Sequence, residues 1–464
     1  MQTRYIFLVA TLMLASTNLR SMAESVVQVS TMQELASAAA QSGQTVKVAP
    51  GVYRLADYLT EDVLKEIRAG VDRAQARPPV PMFVFCGSDN RFDFRDVVIE
   101  IDTTLYAKLP TPNYVRCLII AGDNNTFDGL TIRNTGPQRG SSGNILSVAG
   151  AGNTLENVTL HVRGSFPYGY GDLLGKGGPN LVALQKQSGI QVLGTRTTLR
   201  RCKVFSRAFG HCFYIQAGDD IRIEDCYAEG EMRATSEMLR DDSGPAFDLG
   251  FKSVYENRDG RYLIAPGYMK SLSEDGFRTY GGAGNVTLEN CIAVHTRSGF
   301  EIGARDDAPK KTIIENCVAR GCERGYLIGS NTIVRRSRGD IVHGPVLYLR
   351  GGRNSEVDLQ LAGGQADFAV HALATIAGEN HRVRLTVDSP ESDFSQVPIL
   401  FGFAMPAHAE MASPILPAAT SGVTLINEIA RVSVITSAEI ADCQIESSNR
   451  VIADADLRKS PGKW

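Results

Sequence analysis

The sequence predicts an all-β chain: a single-stranded parallel solenoid with an N-terminal capping helix and long loop insertions. Three observations carry that expectation. A short motif returns along the chain as Thr198-Leu199-Arg200-Arg201-Cys202, Ile223-Glu224-Asp225-Cys226, Leu288-Glu289-Asn290-Cys291 and Ile314-Glu315-Asn316-Cys317, with weaker copies around Asn157-Val158 and Gly129-Leu130. The cysteines recur after 24 residues between Cys202 and Cys226 and after 26 between Cys291 and Cys317, as expected if each copy closes one turn of a coil. Gly at 45 residues against a single Trp fits many tight turns between short strands.

The chain has 464 residues, enough for two or three ordinary domains, but a solenoid grows in length without growing in width. A net charge of −3 gives no case for nucleic acid as a partner, and there is no polybasic run.

The elements follow in order. Arg4, the apolar run Tyr5 to Ala15 and the small residues of Ser21-Met22-Ala23 read as a secretory signal cleaved after Ala23, so residues 1–23 are set apart from the solenoid of 24–464. The apolar run is too short to span a bilayer. The mature chain is expected to be exported, to periplasm or extracellular space. Val26 to Ser30 reads as a strand. Thr31 and Glu34 form a capping box, and Leu35, Ala38 and Ala39 share one helical face. That helix is expected to cover the open end of the coil, hiding a sheet edge that would otherwise recruit other chains. Gly43 to Tyr53 reads as strand, turn and strand. Residues 55–115 are less regular and read as an insertion, helical from Leu55 to Arg77 and ended by Pro78-Pro79. Two more insertions are expected at 164–179, rich in Gly and aromatic residues, and at 229–274, rich in charge. Strands with weaker repeats continue to Asn449, past an Ala/Pro loop from Ala404 to Ala419.

Nine cysteines in an exported chain invite disulfides. However, Cys202, Cys226, Cys291 and Cys317 would stack about 4.8 Å apart with parallel Cα–Cβ vectors, a poor geometry for a disulfide. They read as small buried hydrophobes. The absence of a C-x-x-C pair argues against structural zinc.

The pattern from Val29 to Tyr53 and the Asn/Asp-Cys ladder resemble the right-handed parallel β-helix, pectate-lyase-like superfamily of carbohydrate-active proteins. Polysaccharide lyases related to alginate lyases and chondroitinase B begin similarly. The resemblance implies a polysaccharide or oligosaccharide partner. It leaves the activity open, because this scaffold carries lyases, glycosidases, epimerases, esterases and phage receptor-binding proteins.

Aligning the strand before each cysteine places Ile190, Phe213, Phe277, Phe300 and Tyr326 in one inward column, and Val192, Ile215, Thr279, Ile302 and Ile328 in the next. Gln191, Tyr214, Arg278, Glu301 and Leu327 then face outward, followed by Gln216 and Tyr280, with His211 and Asp275 at the strand starts. A Tyr, Arg, Glu face on consecutive turns suits a binding cleft. The plainer alternative is a solvated ladder of Arg278 with Glu301.

A lyase acting on a uronate-containing glycan by β-elimination is the first expectation. Arg278 would grip the sugar carboxylate, and Tyr214, Tyr280, His211 or Lys270 would serve as base or acid. A glycoside hydrolase needs two carboxyl groups instead, and Asp275 and Glu301 are the candidates. A non-catalytic glycan-binding surface protein is the third reading. Glu231 and Arg233 at one exit of the 229–274 excursion, with Gln191, Gln216 and Lys270, are the candidate substrate contacts. Asp219-Asp220 and Asp306-Asp307 read as solvated turn pairs. No metal-binding residues are assigned. Calcium, which some lyases of this fold use, is the one cofactor the resemblance allows.

Overall fold

The computed structural model describes residues 26–72, 79–109, 114–137, 142–175, 180–257, 259–303, 310–363, 372–388, 394–395, 397–404 and 415–454. The expected signal, Asp306-Asp307 and most of the Ala/Pro loop lie outside them. The chain is a parallel β-helix. Each coil contributes a strand to a front sheet running from Val80–Phe85 to Val451–Ala453, and in most coils two further strands to a folded second sheet. Neighbouring strands are parallel and in register, coil on coil.

The repeated motif marks the corner inside the second sheet. Asn157, Arg201, Asp225, Asn290 and Asn316 all adopt left-handed backbone there, with φ of 51° to 55°. Among residues with a Cβ, Asn and Asp accept that conformation most readily. Their side chains also link coil to coil: Asn290 Nδ2 donates to Asp225 Oδ1 at 3.0 Å, and Asn316 Nδ2 to Asn290 Oδ1 at 2.7 Å. The next residue turns inward, so Cys202, Cys226, Cys291 and Cys317 are buried, and all nine cysteines are free thiols. The sequence reading did not include an interior ladder at another corner. There the amides of Asn90 and Asn125 donate to the side-chain carbonyls of Asn125 and Asn153 at 3.0 and 2.8 Å.

The core is a set of stacked columns. The rings of Phe213, Phe277, Phe300 and Tyr326 lie 4.9 to 5.1 Å apart and within 8° of parallel. The coil spacing itself imposes this, since each ring repeats one step along the axis. Tyr326 fits the apolar column because its hydroxyl donates to the carbonyls of Cys317 and Arg338, at 2.9 and 3.0 Å.

The helix Met32–Ala39 closes the N-terminal end, with the Thr31–Glu34 capping box formed and Met32, Leu35, Ala38 and Ala39 buried. Residues 55–115 differ from the expected insertion. Helices Leu55–Tyr58 and Glu61–Asp72 occur, but Val80–Phe85, Arg91–Asp93 and Val97–Asp102 form a regular coil. This coil lacks the corner cysteine of the repeated motif, carrying Asp96-Val97 in its place, and it follows a helical stretch. The excursions at 164–179 and 229–274 pack on each other. Tyr170, Leu173 and Leu174 meet Met238, Ala246, Ile264, Tyr268 and Leu272 in a small separate core. The second excursion leaves and returns through an antiparallel pair, Met232–Ala234 with Met269–Ser271.

Candidate active site on the front sheet

Each central strand of the front sheet is entered through two successive inward residues: Cys212 and Phe213 lie in the core, and a Cβ on Gly276 or Gly299, just before Phe277 and Phe300, would meet the interior Ala293. Outward side chains therefore fall three apart: His211 and Tyr214, Asp275 and Arg278, Ser298 and Glu301. The middle column stacks Gln191, Tyr214, Arg278, Glu301 and Leu327 in direct register. The wall they form is half covered. Tyr214 is only 4 % exposed, and its hydroxyl meets that of Tyr114 at 3.1 Å. Gln191 is buried, its carbonyl accepting from Ser147 at 2.9 Å and its amide donating to the exposed Gln216. Beyond Glu301 the column turns apolar, and Ile415 packs over Leu327 and Tyr348.

At the strand entries the chemistry concentrates. His211 Nδ1 lies 3.0 Å from Asp275 Oδ2, and His211 Nε2 lies 2.8 Å from the Tyr280 hydroxyl. Asp275 is fully buried and also meets Arg297 Nη2 at 3.0 Å and Arg278 Nη1 at 2.9 Å. Burial alone would raise its pKa, but Arg297, His211 and Arg278 outweigh that and hold the carboxyl well below the usual range. His211 Nε2 also lies 3.4 Å from the buried Glu274 Oε2, so the imidazole stands between two carboxylates and the Tyr280 phenol. The Arg278 guanidinium lies over the Tyr280 ring, 4.4 Å from its centroid. Burial pushes the Tyr280 phenol well above its usual value; Arg278 opposes this only in part, and Glu274, Asp275 and Glu301 raise it further, so the net direction is up.

Arg278 is already paired on both sides: the same Nη1 meets Asp275 at 2.9 Å and Glu301 at 2.7 Å. Glu301 also reaches Arg297, at 3.8 Å. One residue before the entry column runs a buried column of alternating sign, Glu274, Arg297 and Glu323. Lys186 meets Glu274 at 2.8 Å, and Lys270, 1 % exposed, pairs with Glu323 and reaches Asp172 at 3.4 Å. Because Lys270 and Asp172 belong to the two excursions, this column ties the small core onto the sheet.

The structure thus gathers His211, Tyr214, Asp275, Arg278, Tyr280, Glu301, Gln191 and Gln216 on one face. It does not bring Lys270, Arg233 or Glu231 to the open surface of that face. Lys270 is buried in ion pairs, Arg233 grips Asp241, and Glu231 is taken by Arg207 and Tyr168. Sequence reading missed Glu274, Arg297 and Asp172. Extending the strand alignment one residue upstream exposes the first two as a charge-alternating column. Asp172 and Tyr114 arrive from distant loops, and no spacing announces them.

The acidic groups of this face do not fit a Ca2+ site, since Glu274, Asp275 and Glu301 are each engaged by a Lys or Arg. Among the described residues, no three His, Cys, Asp or Glu side chains are grouped to hold a metal ion, and no helix is long and apolar enough to cross a membrane.

No family model matches this sequence, and no curated protein does. Solved structures do resemble it. An alginate lyase from Paenibacillus sp. aligns at 10% identity over 92% of this chain and 97% of its own, with a TM-score of 0.35. A mannuronic-acid-specific polysaccharide family 6 lyase from human gut microbiota aligns at 11% identity over 93% and 83%, TM-score 0.46. The catalytic domain of a family 87 α-1,3-glucanase, in complex with nigerose, aligns at 10% identity over 96% and 71%, TM-score 0.39. Likeness of this size does not decide between lyase and hydrolase. That choice falls to the residues of the front sheet, and the chain is a parallel β-helix that carries a buried carboxylate–imidazole–phenol chain on that sheet.

Proposed function

We propose that this protein cleaves a uronate-containing polysaccharide by β-elimination at the front sheet. The observation that carries the reading is the Asp275–His211–Tyr280 chain, which runs from a buried ionised carboxylate to a half-exposed phenol at the sheet surface. In this reading the Tyr280 proton passes to His211 Nε2, and Asp275 stabilises the imidazolium that forms. Arg278, stacked on the ring, stabilises the phenolate. The phenolate takes the sugar C5 proton, the C5 electrons form the C4–C5 double bond, and the C4–O4 bond breaks. Tyr280 delivers that proton to O4, and His211 Nε2 then returns its own proton to Tyr280, restoring the starting state. In this reading Gln216, exposed and one coil from Tyr280, contacts the sugar.

A hydrolase requires two available carboxyl groups. Here Asp275 is fully buried against two arginines, and Glu301 has both oxygens directed at guanidinium groups. Neither is presented to a glycosidic oxygen. The test is a panel of acidic and neutral polysaccharides scored together for ultraviolet absorbance and reducing ends. Elimination is expected to give both signals from acidic substrates. Reducing ends without absorbance would overturn the reading in favour of hydrolysis.

A further inference from the structure

The outward column after the middle one begins with Gln216 and Tyr280 and continues, by the same register, through Gly303 and Gly329 to Arg350. Two consecutive coils therefore present no side chain between a phenol and a guanidinium. The gap is enforced by packing. A Cβ on Gly303 would lie 2.8 Å from the Gly329 Cα, and one on Gly329 would lie 3.2 Å from the Gly303 Cα. Thr279 Oγ1 fixes this floor, bonding both the carbonyl and the amide of Gly303 at 3.0 Å. The result is a shallow groove of about 450 Å³, walled by Tyr280 and Glu301 at one end and Arg350 at the other. With coils about 4.8 Å apart, its floor spans roughly 14 Å along the axis from Tyr280 to Arg350.

The charges in this groove are unequal. Glu301 is neutralised by Arg278 and Arg297. Arg350 is exposed and makes no ion pair with any described residue. A bare peptide floor admits a pyranose ring flat against it, and a planar guanidinium at its far end can hold a carboxylate through two parallel hydrogen bonds.

We propose that the groove from Tyr280 to Arg350 is a flanking subsite for a second acidic sugar, with Arg350 as its specificity-determining residue. The inference rests on the β-elimination reading for the identity of the sugars, but its geometry does not depend on that reaction. Arg350 lies three coils from Tyr280, too far to grip the sugar whose C5 proton Tyr280 takes. It therefore selects for acid on a neighbouring sugar and makes the site favour polyuronate over chains with isolated uronates.

The test is direct binding of a uronate hexasaccharide and of a neutral glucan hexasaccharide to the full chain, by calorimetry, in the wild type, Arg350→Ala and Arg350→Lys. To keep the uronate intact, each is also carried in a Tyr280→Phe background. Removing Arg350 is expected to weaken uronate binding roughly ten- to a hundredfold, with partial recovery in Arg350→Lys and no change for the glucan. Where cleavage is observed, KM rises in Arg350→Ala while kcat is kept. Equal uronate affinity in wild type and Arg350→Ala overturns the subsite even if the enzyme proves to be a lyase. Absent elimination with an Arg350-dependent affinity overturns the reaction and leaves the subsite standing. A bulky side chain provides the second variant: Gly329→Leu fills the floor, and unchanged uronate binding in a folded Gly329→Leu protein also refutes the site.

Discussion

His211 stands between Asp275 and Tyr280, with one ring nitrogen 3.0 Å from the carboxylate and the other 2.8 Å from the phenol, so a single imidazole joins the buried interior to the sheet surface. If that chain moves protons, Tyr280→Phe lowers kcat by about 10²- to 10⁴-fold while KM stays near the wild-type value. His211→Ala behaves alike, and the double variant is no worse than either single one. Steady-state kinetics on an acidic polysaccharide check this. Additive losses would separate the two residues.

Asp275 makes stability depend on acid. Its folded pKa is held well below the usual range by Arg297, His211 and Arg278 acting against burial. The unfolded chain takes up that proton first, near the ordinary value of about 3.9. The stabilising contribution is therefore complete above about pH 4 and lost as pH falls through the folded value. Replacing the carboxylate strands two arginines, so Asp275→Asn is expected to cost about 3–5 kcal/mol at neutral pH and to flatten the acid limb of the stability curve. Denaturant midpoints measured across the acid range check both. Parallel acid limbs in the two proteins would count against the assignment.

The asparagine corners are worth testing one at a time. Asn290 sits at φ 55° and bonds Asp225 and Asn316. Asn290→Ala should lose about 1–2 kcal/mol from the backbone conformation alone, in addition to its ladder bonds. Asn290→Gly keeps the conformation and loses only the ladder. Urea unfolding should therefore rank wild type above Gly above Ala.

The thiols give a chemical readout of the coil. Cys86 is exposed and Cys443 half-buried, and the other seven are buried and free. Native labelling with a thiol reagent should reach Cys86 first and Cys443 more slowly, with all nine reacting after denaturation without reductant. Fewer than nine in unfolded, unreduced protein would reveal disulfides.

Lys270 pairs with Glu323 in the buried column beneath the two packed excursions. Lys270→Ala removes a buried cation from this column, at a cost of about 3–5 kcal/mol, and should loosen 229–274. Faster limited proteolysis within that stretch is the expected sign.

Much of this was legible from period alone. The Asn/Asp-Cys corners, the Phe213–Phe277–Phe300–Tyr326 column, the capping helix and the outward row of Tyr214, Arg278 and Glu301 all follow from one side chain repeating per coil. The coil at 80–102 was hidden because its corner carries Asp96-Val97 without the motif's cysteine and it follows a strongly helical segment. Lys270 read as a surface cation because nothing in its neighbourhood announces Glu323, 53 residues away.

By itself the sequence determined the coil and its register, because each turn repeats the same local conflict between strand and corner and resolves it with the same residue types. Only the tertiary structure decided which outward groups remain available. Arg278 is paired twice and Lys270 is buried, while Tyr280 and Arg350 face an open floor. Availability depends on charges and loops brought together across coils, and their partners are set by three-dimensional packing rather than by spacing along the chain.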